Sequence, residues 1–186
     1  FEENADRVYF PETGHSLAYG FLKYWRENGG LARFGYPRTE EFTETDPMVD
    51  HSHTVQYFER ARFEYHPEFA GTEFEVLIGH TGRWALAQRG MDPSETATGP
   101  KAGARYFEET QHNLGGAFLR YWDANGGLMT FGYPITEEFL EVNPEDGQTY
   151  IVQYFERARF EYHPEYAGTQ SEVLLGLLGN EMLRDR

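Results

Sequence analysis

The segment Val55-Gln56-Tyr57-Phe58-Glu59-Arg60-Ala61-Arg62-Phe63-Glu64-Tyr65-His66-Pro67-Glu68 returns without a change as residues 152–165. Carrying the offset of 97 outward aligns residues 9–86 with 106–183 without a gap, and 47 of these 78 positions are identical. Tyr9-Phe10 meets Tyr106-Phe107, and Tyr24-Trp25 meets Tyr121-Trp122. Phe34-Gly35-Tyr36-Pro37 meets Phe131-Gly132-Tyr133-Pro134. Self-similarity over such a length marks a duplicated structural unit. Residues 90–101 (GMDPSETATGPK) are rich in glycine, proline and small polar residues and read as a linker. The expected units are therefore residues 1–95 and 96–186.

Within a unit, the repeated segment reads as a β-hairpin. Pairing Phe58 with Phe63, and Phe155 with Phe160, around a four-residue loop gives two faces. Gln56, Phe58, Phe63 and Tyr65 form a mainly apolar one; Tyr57, Glu59, Arg62 and Glu64 form a polar one suited to cross-strand ion pairs. Upstream, Arg7 to Pro11 is extended. A helix capped by Ser16 then carries Leu17, Phe21 and Trp25 on one face. Asn28-Gly29-Gly30 ends it, because glycine accepts the left-handed conformation of a helix C-cap. Downstream, Thr72 and Glu75 have the spacing of a capping box, as do Thr169 and Glu172. This predicts a second helix from Glu73 to about Arg89, with its copy starting at Gln170. Gly79 and Gly82 would lie inside it at about 1 kcal/mol each relative to alanine, which close approach to another backbone would explain. The fold class expected is α+β, two tandem copies of a helix–turn–β-hairpin–helix unit packed side by side.

Of 186 residues, 39% are hydrophobic and 17% aromatic, enough for a folded core. The absence of cysteine excludes disulfides, thiol chemistry and cysteine-held zinc. Sixteen Lys and Arg against 31 Asp and Glu leave a net charge of −15. That balance argues against nucleic acid, whose binding needs a basic face, and against anionic lipid. No run approaches the roughly 20 apolar residues of a membrane span, so no membrane insertion is expected. The chain begins at Phe1 rather than Met, which reads as a mature or trimmed chain from which a secretory signal has been removed.

Glu64-Tyr65-His66-Pro67-Glu68, repeated as Glu161 to Glu165, has two carboxylates flanking a histidine, a pattern suited to general acid–base work. No nucleophile accompanies it, so catalysis is not expected. His51-Ser52-His53 sets two imidazoles on one side of an extended strand, a possible metal pair, but its counterpart is Gln148-Thr149-Tyr150. Two ligands do not close a site, so a solvated loop and no metal or other cofactor are expected. Asn143, Glu145 and Asp146 beside Gly147 offer oxygen ligands for calcium without the EF-hand spacing. His15 and His112 read as local hydrogen-bonding residues, and Glu40, Glu41, Glu137 and Glu138 as a solvated face. Arg60, Arg62, Arg157 and Arg159 read as braces of the hairpin, with recognition of an acidic group as the alternative.

The aromatics Tyr24, Trp25, Tyr36, Tyr57 and Tyr65, with Tyr121, Trp122, Tyr133, Tyr154 and Tyr162, divide between core and stacking platforms for sugar rings, whose apolar faces tyrosine and tryptophan complement. Trp25 reads as core. The candidate ligand-binding residues are Tyr36, Tyr57, Arg62 and His66 in the first unit, and Tyr133, Tyr154, Arg159 and His163 in the second.

Asn28-Gly29-Gly30-Leu31, Phe34-Gly35-Tyr36-Pro37, the acidic pair and the Phe-Glu hairpin together resemble the LGFP repeat of bacterial cell-envelope proteins. The second unit matches through Asn125-Gly126-Gly127-Leu128 and Phe131-Gly132-Tyr133-Pro134. Arg60-Ala61 departs from the hairpin glycines of that family, and the loop at residues 43–54 is long. The resemblance implies an extracellular or surface-located, non-catalytic attachment module, like those appended to secreted bacterial hydrolases and wall enzymes. Its partners would be a cell-wall polymer, another glycan or a surface protein. The alternatives are a self-associating subunit of a surface layer or filament and, third, a glycan hydrolase using Glu64 or Glu161.

Overall fold

The computed structural model describes residues 5–45 and 50–186. Part of the loop expected at 43–54 lies outside the described residues. The chain is α+β, and its contacts divide it into two compact units: Phe1–Thr81 with Leu177–Arg186, and Gly82–Gly176.

In the first unit, β1 (Arg7–Phe10) pairs antiparallel with β2 (His15–Ala18), placing Tyr9 opposite Ser16 and Val8 opposite Leu17. Ser16 and Leu17 therefore belong to a strand, not to the first turn of a helix. The ladder satisfies their backbone groups, and Tyr19, at φ 47°, breaks the extended run. Helix α1 (Tyr19–Glu27) buries Phe21 and Leu22. Half-buried Trp25 donates its Nε1–H to the Gly35 carbonyl at 3.1 Å. The glycine stop acts as expected. Both Asn28 nitrogens donate to the Tyr24 carbonyl, and Gly29, at φ 113°, turns the chain into the short α2 (Gly30–Phe34).

A four-stranded antiparallel sheet follows, in the order β3 (Phe42–Thr45), β4 (Ser52–Tyr57), β5 (Arg62–Tyr65), β6 (Val76–Ile78). Its hairpin register corrects the expected one. Gln56 faces Phe63 and Tyr57 faces Arg62, and the Phe58 N–H reaches the Ala61 carbonyl at 2.8 Å. The loop is two residues, Glu59 and Arg60. The neighbouring Phe-Gly-Tyr-Pro segment holds that turn, accepting from Glu59 N at the Tyr36 carbonyl and from Arg60 N at the Phe34 carbonyl. A Cβ on Gly35 would sit 2.7 Å from the Glu59 Cβ, so only glycine fits. Because the slip is two residues, the faces stay as expected. Phe58, Ala61 and Phe63 enter the core with Phe21 and Phe34, the Phe34 and Phe63 rings meeting edge-on at 4.8 Å.

The helix expected from Glu73 is also corrected. Thr72 and Glu75 close a tight turn, with Glu75 N on the Thr72 carbonyl and Phe74 N on Thr72 Oγ1. Val76 and Ile78 then pair with Tyr65 and Phe63 as strand β6, and only α3 (Thr81–Gln88) is helical. The ladder partner and the alternating burial of Val76 and Ile78 outweigh the local helix signal.

The second unit repeats the plan. Strands β7 (Arg105–Phe107) and β8 (His112–Leu114) pair, and α4 (Gly116–Ala124) and α5 (Gly127–Phe131) follow. The second large sheet runs β9 (Phe139–Val142), β10 (Thr149–Phe155), β11 (Ala158–Tyr162), β12 (Val173–Leu175). Its hairpin carries the same two-residue turn, with Gln153 opposite Phe160 and Phe155 opposite Ala158, again two residues from the expected Phe155–Phe160 pair. Leu178–Arg184 forms α6.

The closing helices are exchanged. The N–H groups of Gly82 and Arg83, in α3, donate to the Glu156 carbonyl at 3.1 Å, whereas Asn180 N, in α6, donates to the Glu59 carbonyl at 3.1 Å. A Cβ on Gly82 would lie 1.7 Å from the Phe155 carbonyl oxygen, and one on Gly179 1.7 Å from that of Phe58. The expected close approach is thus real at Gly82, while Gly79 lies outside the helix. Each sheet is closed by the helix of the other repeat. The sequence repeats meet near residue 95, but the compact units divide after Thr81 and Gly176.

Candidate functional site

On the sheet face away from the aromatic core, each unit buries a charged network. In the first, the Tyr57 hydroxyl and Arg62 Nε donate to Glu44 Oε1 at 2.7 and 2.8 Å. Arg62 Nη1 also bonds Glu64, and Arg186 reaches the second oxygen of Glu44. In the second, Tyr154 and Arg159 hold Glu141 at 2.7 and 2.8 Å, and Arg159 Nη1 holds Glu161 at 2.5 Å. Arg89, 97 positions before Arg186, pairs with Glu141 at 3.5 Å. Burial pushes the Tyr154 phenol far above its ordinary value. Burial also opposes the charge on Arg159, but its bonds to Glu161 and Glu141 outweigh that and raise its pKa. Tyr57 and Tyr154 have no exposed surface, and Arg62 and Arg159 have 1% and 2%. These four residues, expected to contact a ligand, are interior struts. Their strands alternate as predicted, but the polar face is covered rather than solvated. In the first unit α6 packs over β4.

Tyr36 and Tyr133 are half-buried in their turns, each edge-on to a phenylalanine (Phe10 and Phe107) at 5.7 Å. Glu137 is a part-buried anchor, which corrects the solvated face expected for it, whereas Glu40, Glu41 and Glu138 are exposed as expected. Glu40 accepts from Ser16 N and Oγ. Glu137 accepts from Asn113, from Lys101 at 2.9 Å and from fully buried His112. His112 forms hydrogen bonds as expected, but from strand β8 and to residues distant in sequence rather than locally, its other nitrogen lying 3.0 Å from the Pro93 carbonyl. Two side chains of the loop read as a calcium candidate spend their oxygens internally. Asn143 Oδ1 accepts from Glu145 N, and Asp146 takes Gln148 N and the Tyr150 hydroxyl.

An open groove recurs in both units between the first long helix and the sheet. In the first it is lined by Tyr19, Phe21, Glu41, Thr54, Tyr65 and Glu75 with a volume near 370 Å³. In the second, the lining includes Gly116, Phe118, Glu138, Ile151, Tyr162 and Glu172, with a volume near 260 Å³. Every one of these residues is the 97-offset partner of its counterpart. Crowding by the walls raises the pKa of Glu41, and of Glu138, where the neighbouring charge of Glu137 adds to it. Arg120 lies 3.7 Å from Glu172 at the groove of the second unit. Tyr65 and Tyr162 are among the aromatics the sequence singles out, whereas Glu75 and Glu172 have the spacing of helix caps in sequence. The groove forms only once β6 and β12 have taken their places in the sheets.

Beyond the groove lies a histidine cluster. His66 Nδ1 is 3.0 Å from Glu68 and Nε2 is 3.2 Å from Glu64. The His53 ring lies 4.3 Å from that of His66. One ligand atom each from His53, Glu64 and His66 lies within 4.8 Å of the others. The second unit keeps the two histidine–carboxylate contacts, His163 with Glu165 at 2.9 Å and Glu161 at 2.8 Å. Tyr150 stands in place of His53, its ring 4.5 Å from His163. The Tyr150 hydroxyl donates to Asp146 at 2.6 Å, which pushes its pKa up to about 12. Asn143 donates to both oxygens of Glu161, at 3.1 and 3.0 Å.

No family model, no curated protein and no solved structure matches this chain. Among the described residues, no helix is long and apolar enough to cross a membrane.

Proposed function

We propose that the chain is a non-catalytic, extracellular, duplicated binding module whose two grooves take sugar units of a polymeric glycan, with a bacterial cell-wall polymer as the leading candidate. The observation that carries this reading is the recurrence of one groove, with one set of lining positions, in both units. Each combines a half-buried tyrosine (Tyr65 or Tyr162) with two carboxylates. Apolar ring faces suit the first and hydroxyl or amino edges the second. The net charge of −15 favours a neutral or amino-bearing glycan over an acidic one. The resemblance of the glycine and Phe-Gly-Tyr-Pro motifs to a cell-envelope repeat points the same way.

Where both grooves engage one polymer chain, two weak sites raise the avidity by roughly 10²–10⁴-fold over a single site. The test is titration of the intact chain with solubilised peptidoglycan and with its short fragments, by calorimetry. Glu41→Gln or Glu138→Gln alone should weaken polymer binding far more than fragment binding, and the pair should abolish both. Equal affinity for polymer and fragment, unchanged in the double variant, would refute the reading.

A further inference from the structure

We propose that the first unit binds a divalent transition-metal ion through His53, Glu64 and His66, a site that the second unit lacks. Two imidazoles and a carboxylate are a ligand set suited to zinc and its neighbours, with the remaining position open to water. Zinc ligands at about 2.0–2.2 Å from the metal lie roughly 3.3–3.6 Å apart in a tetrahedron. The three candidate atoms already lie within 4.8 Å of one another, so small side-chain rotations close the site.

The surroundings hold the ligands for this task. Glu68 sits on His66 Nδ1 at 3.0 Å and so directs Nε2 toward Glu64. A carboxylate on the far nitrogen is the usual way a metal-bound histidine is oriented. Arg62 takes Oε1 of Glu64 and leaves Oε2 facing His66. A metal between His66 Nε2 and Glu64 Oε2 would take the place of their hydrogen bond. The chain's large negative charge favours the approach of a cation.

The second unit shows that the carboxylate–histidine contacts do not need His53. His163 keeps both of its carboxylates with Tyr150 as neighbour. An imidazole at position 53 therefore adds nothing the hydrogen-bond network requires, but it supplies a third ligand atom.

The experiment is titration of zinc into the intact chain at neutral pH by calorimetry, with cobalt as a spectroscopic stand-in. One saturable equivalent and the visible absorption of tetrahedral cobalt are expected. His53→Tyr installs the residue the second unit already tolerates and should lower affinity by at least about tenfold with the far-ultraviolet dichroism unchanged. His66→Gln should do the same, whereas His15→Gln should leave binding intact. Weak binding without a saturable equivalent, or equal affinity in His53→Tyr, would overturn the proposal.

Discussion

The two units differ most where their sheets meet solvent and least where they meet their own interiors. The Glu44–Tyr57–Arg62–Glu64 network and its counterpart Glu141–Tyr154–Arg159–Glu161 use the same residues and nearly the same distances. On the same strands, Thr43, Thr45 and Thr54 of the first unit become Leu140, Val142 and Ile151 in the second, exposed at 70%, 57% and 39%. His53 likewise becomes Tyr150. A change in one member of a buried charge network takes a partner from the others away from water. An exposed strand position carries no such constraint. The duplicated frame is thus common to both units, and the chemistry offered at its surface is not.

Breaking the shared frame should have the largest effect. Arg62→Met leaves Glu64 without its guanidinium and Glu44 with Arg186 alone, and Arg159→Met leaves Glu161 without its guanidinium and Glu141 with Arg89 alone. Each should cost about 3–5 kcal/mol in urea unfolding. A loss under 1 kcal/mol in either unit would show that its network is open to water.

The helix exchange comes next. Gly179→Ala drives a methyl group into the Phe58 carbonyl, a clash expected to exceed the roughly 1–3 kcal/mol of ordinary overpacking. Hydrogen exchange should show the loss of protection in β4 and β5. Gly82→Ala should show it in β10 and β11. Protection lost in each helix's own repeat instead would overturn the unit assignment. For the same reason residues 1–95 alone do not make up one whole unit, since α6 would be absent.

The two closing helices are held unequally. Arg83 donates from Nε and Nη2 to Glu156 Oε2 at 3.0 and 2.8 Å, and its counterpart in α6 is Asn180. Arg83→Ala should lower stability by about 0.5–1 kcal/mol, as for a partly exposed pair. Asn180→Arg should recover a comparable amount in the first unit if the two frames are equivalent. A double-mutant cycle with Glu156→Gln and Glu59→Gln would measure both.

The smallest effect concerns adjacent carboxylates. The folded pKa of Glu41 is raised by desolvation and that of Glu138 by desolvation and then Glu137, so ionisation opposes folding. That penalty is absent below the unfolded value near 4.5, develops as pH rises through the folded pKa, and is complete at neutral pH. Glu41→Gln should therefore raise the thermal midpoint slightly at pH 7 and leave it unchanged at pH 3. Glu40 is the opposite case. Burial would raise its pKa, but the Ser16 hydrogen bonds more than offset this and lower it. Its contribution is present above the unfolded value and lost as pH falls through the folded one, so Glu40→Gln should destabilise at pH 7. Identical pH profiles for the two variants would contradict the assignment.

Much of this molecule was legible in residue order. The duplication, the α+β class, the glycine stop at Asn28-Gly29-Gly30, the hairpin's two faces and the close approach at Gly82 follow from spacing, turn chemistry and side-chain period. All of these depend on neighbours in the chain or on an alternation that a two-residue slip preserves. What local signals could not supply was the competition between partners. Ser16 and Thr72 carry helix-capping chemistry, yet the backbones beside them gain a ladder with β1 or lead into one with β5, and those bonds come from residues distant in sequence. The groove, the burial of Tyr57 and Tyr154, and the meeting of His53 with Glu64 and His66 arise in the same way. Tertiary structure alone decided which helix closes which sheet. Both repeats carry the same glycine and the same carbonyl, so nothing in the local sequence distinguishes a helix docked at home from one docked across.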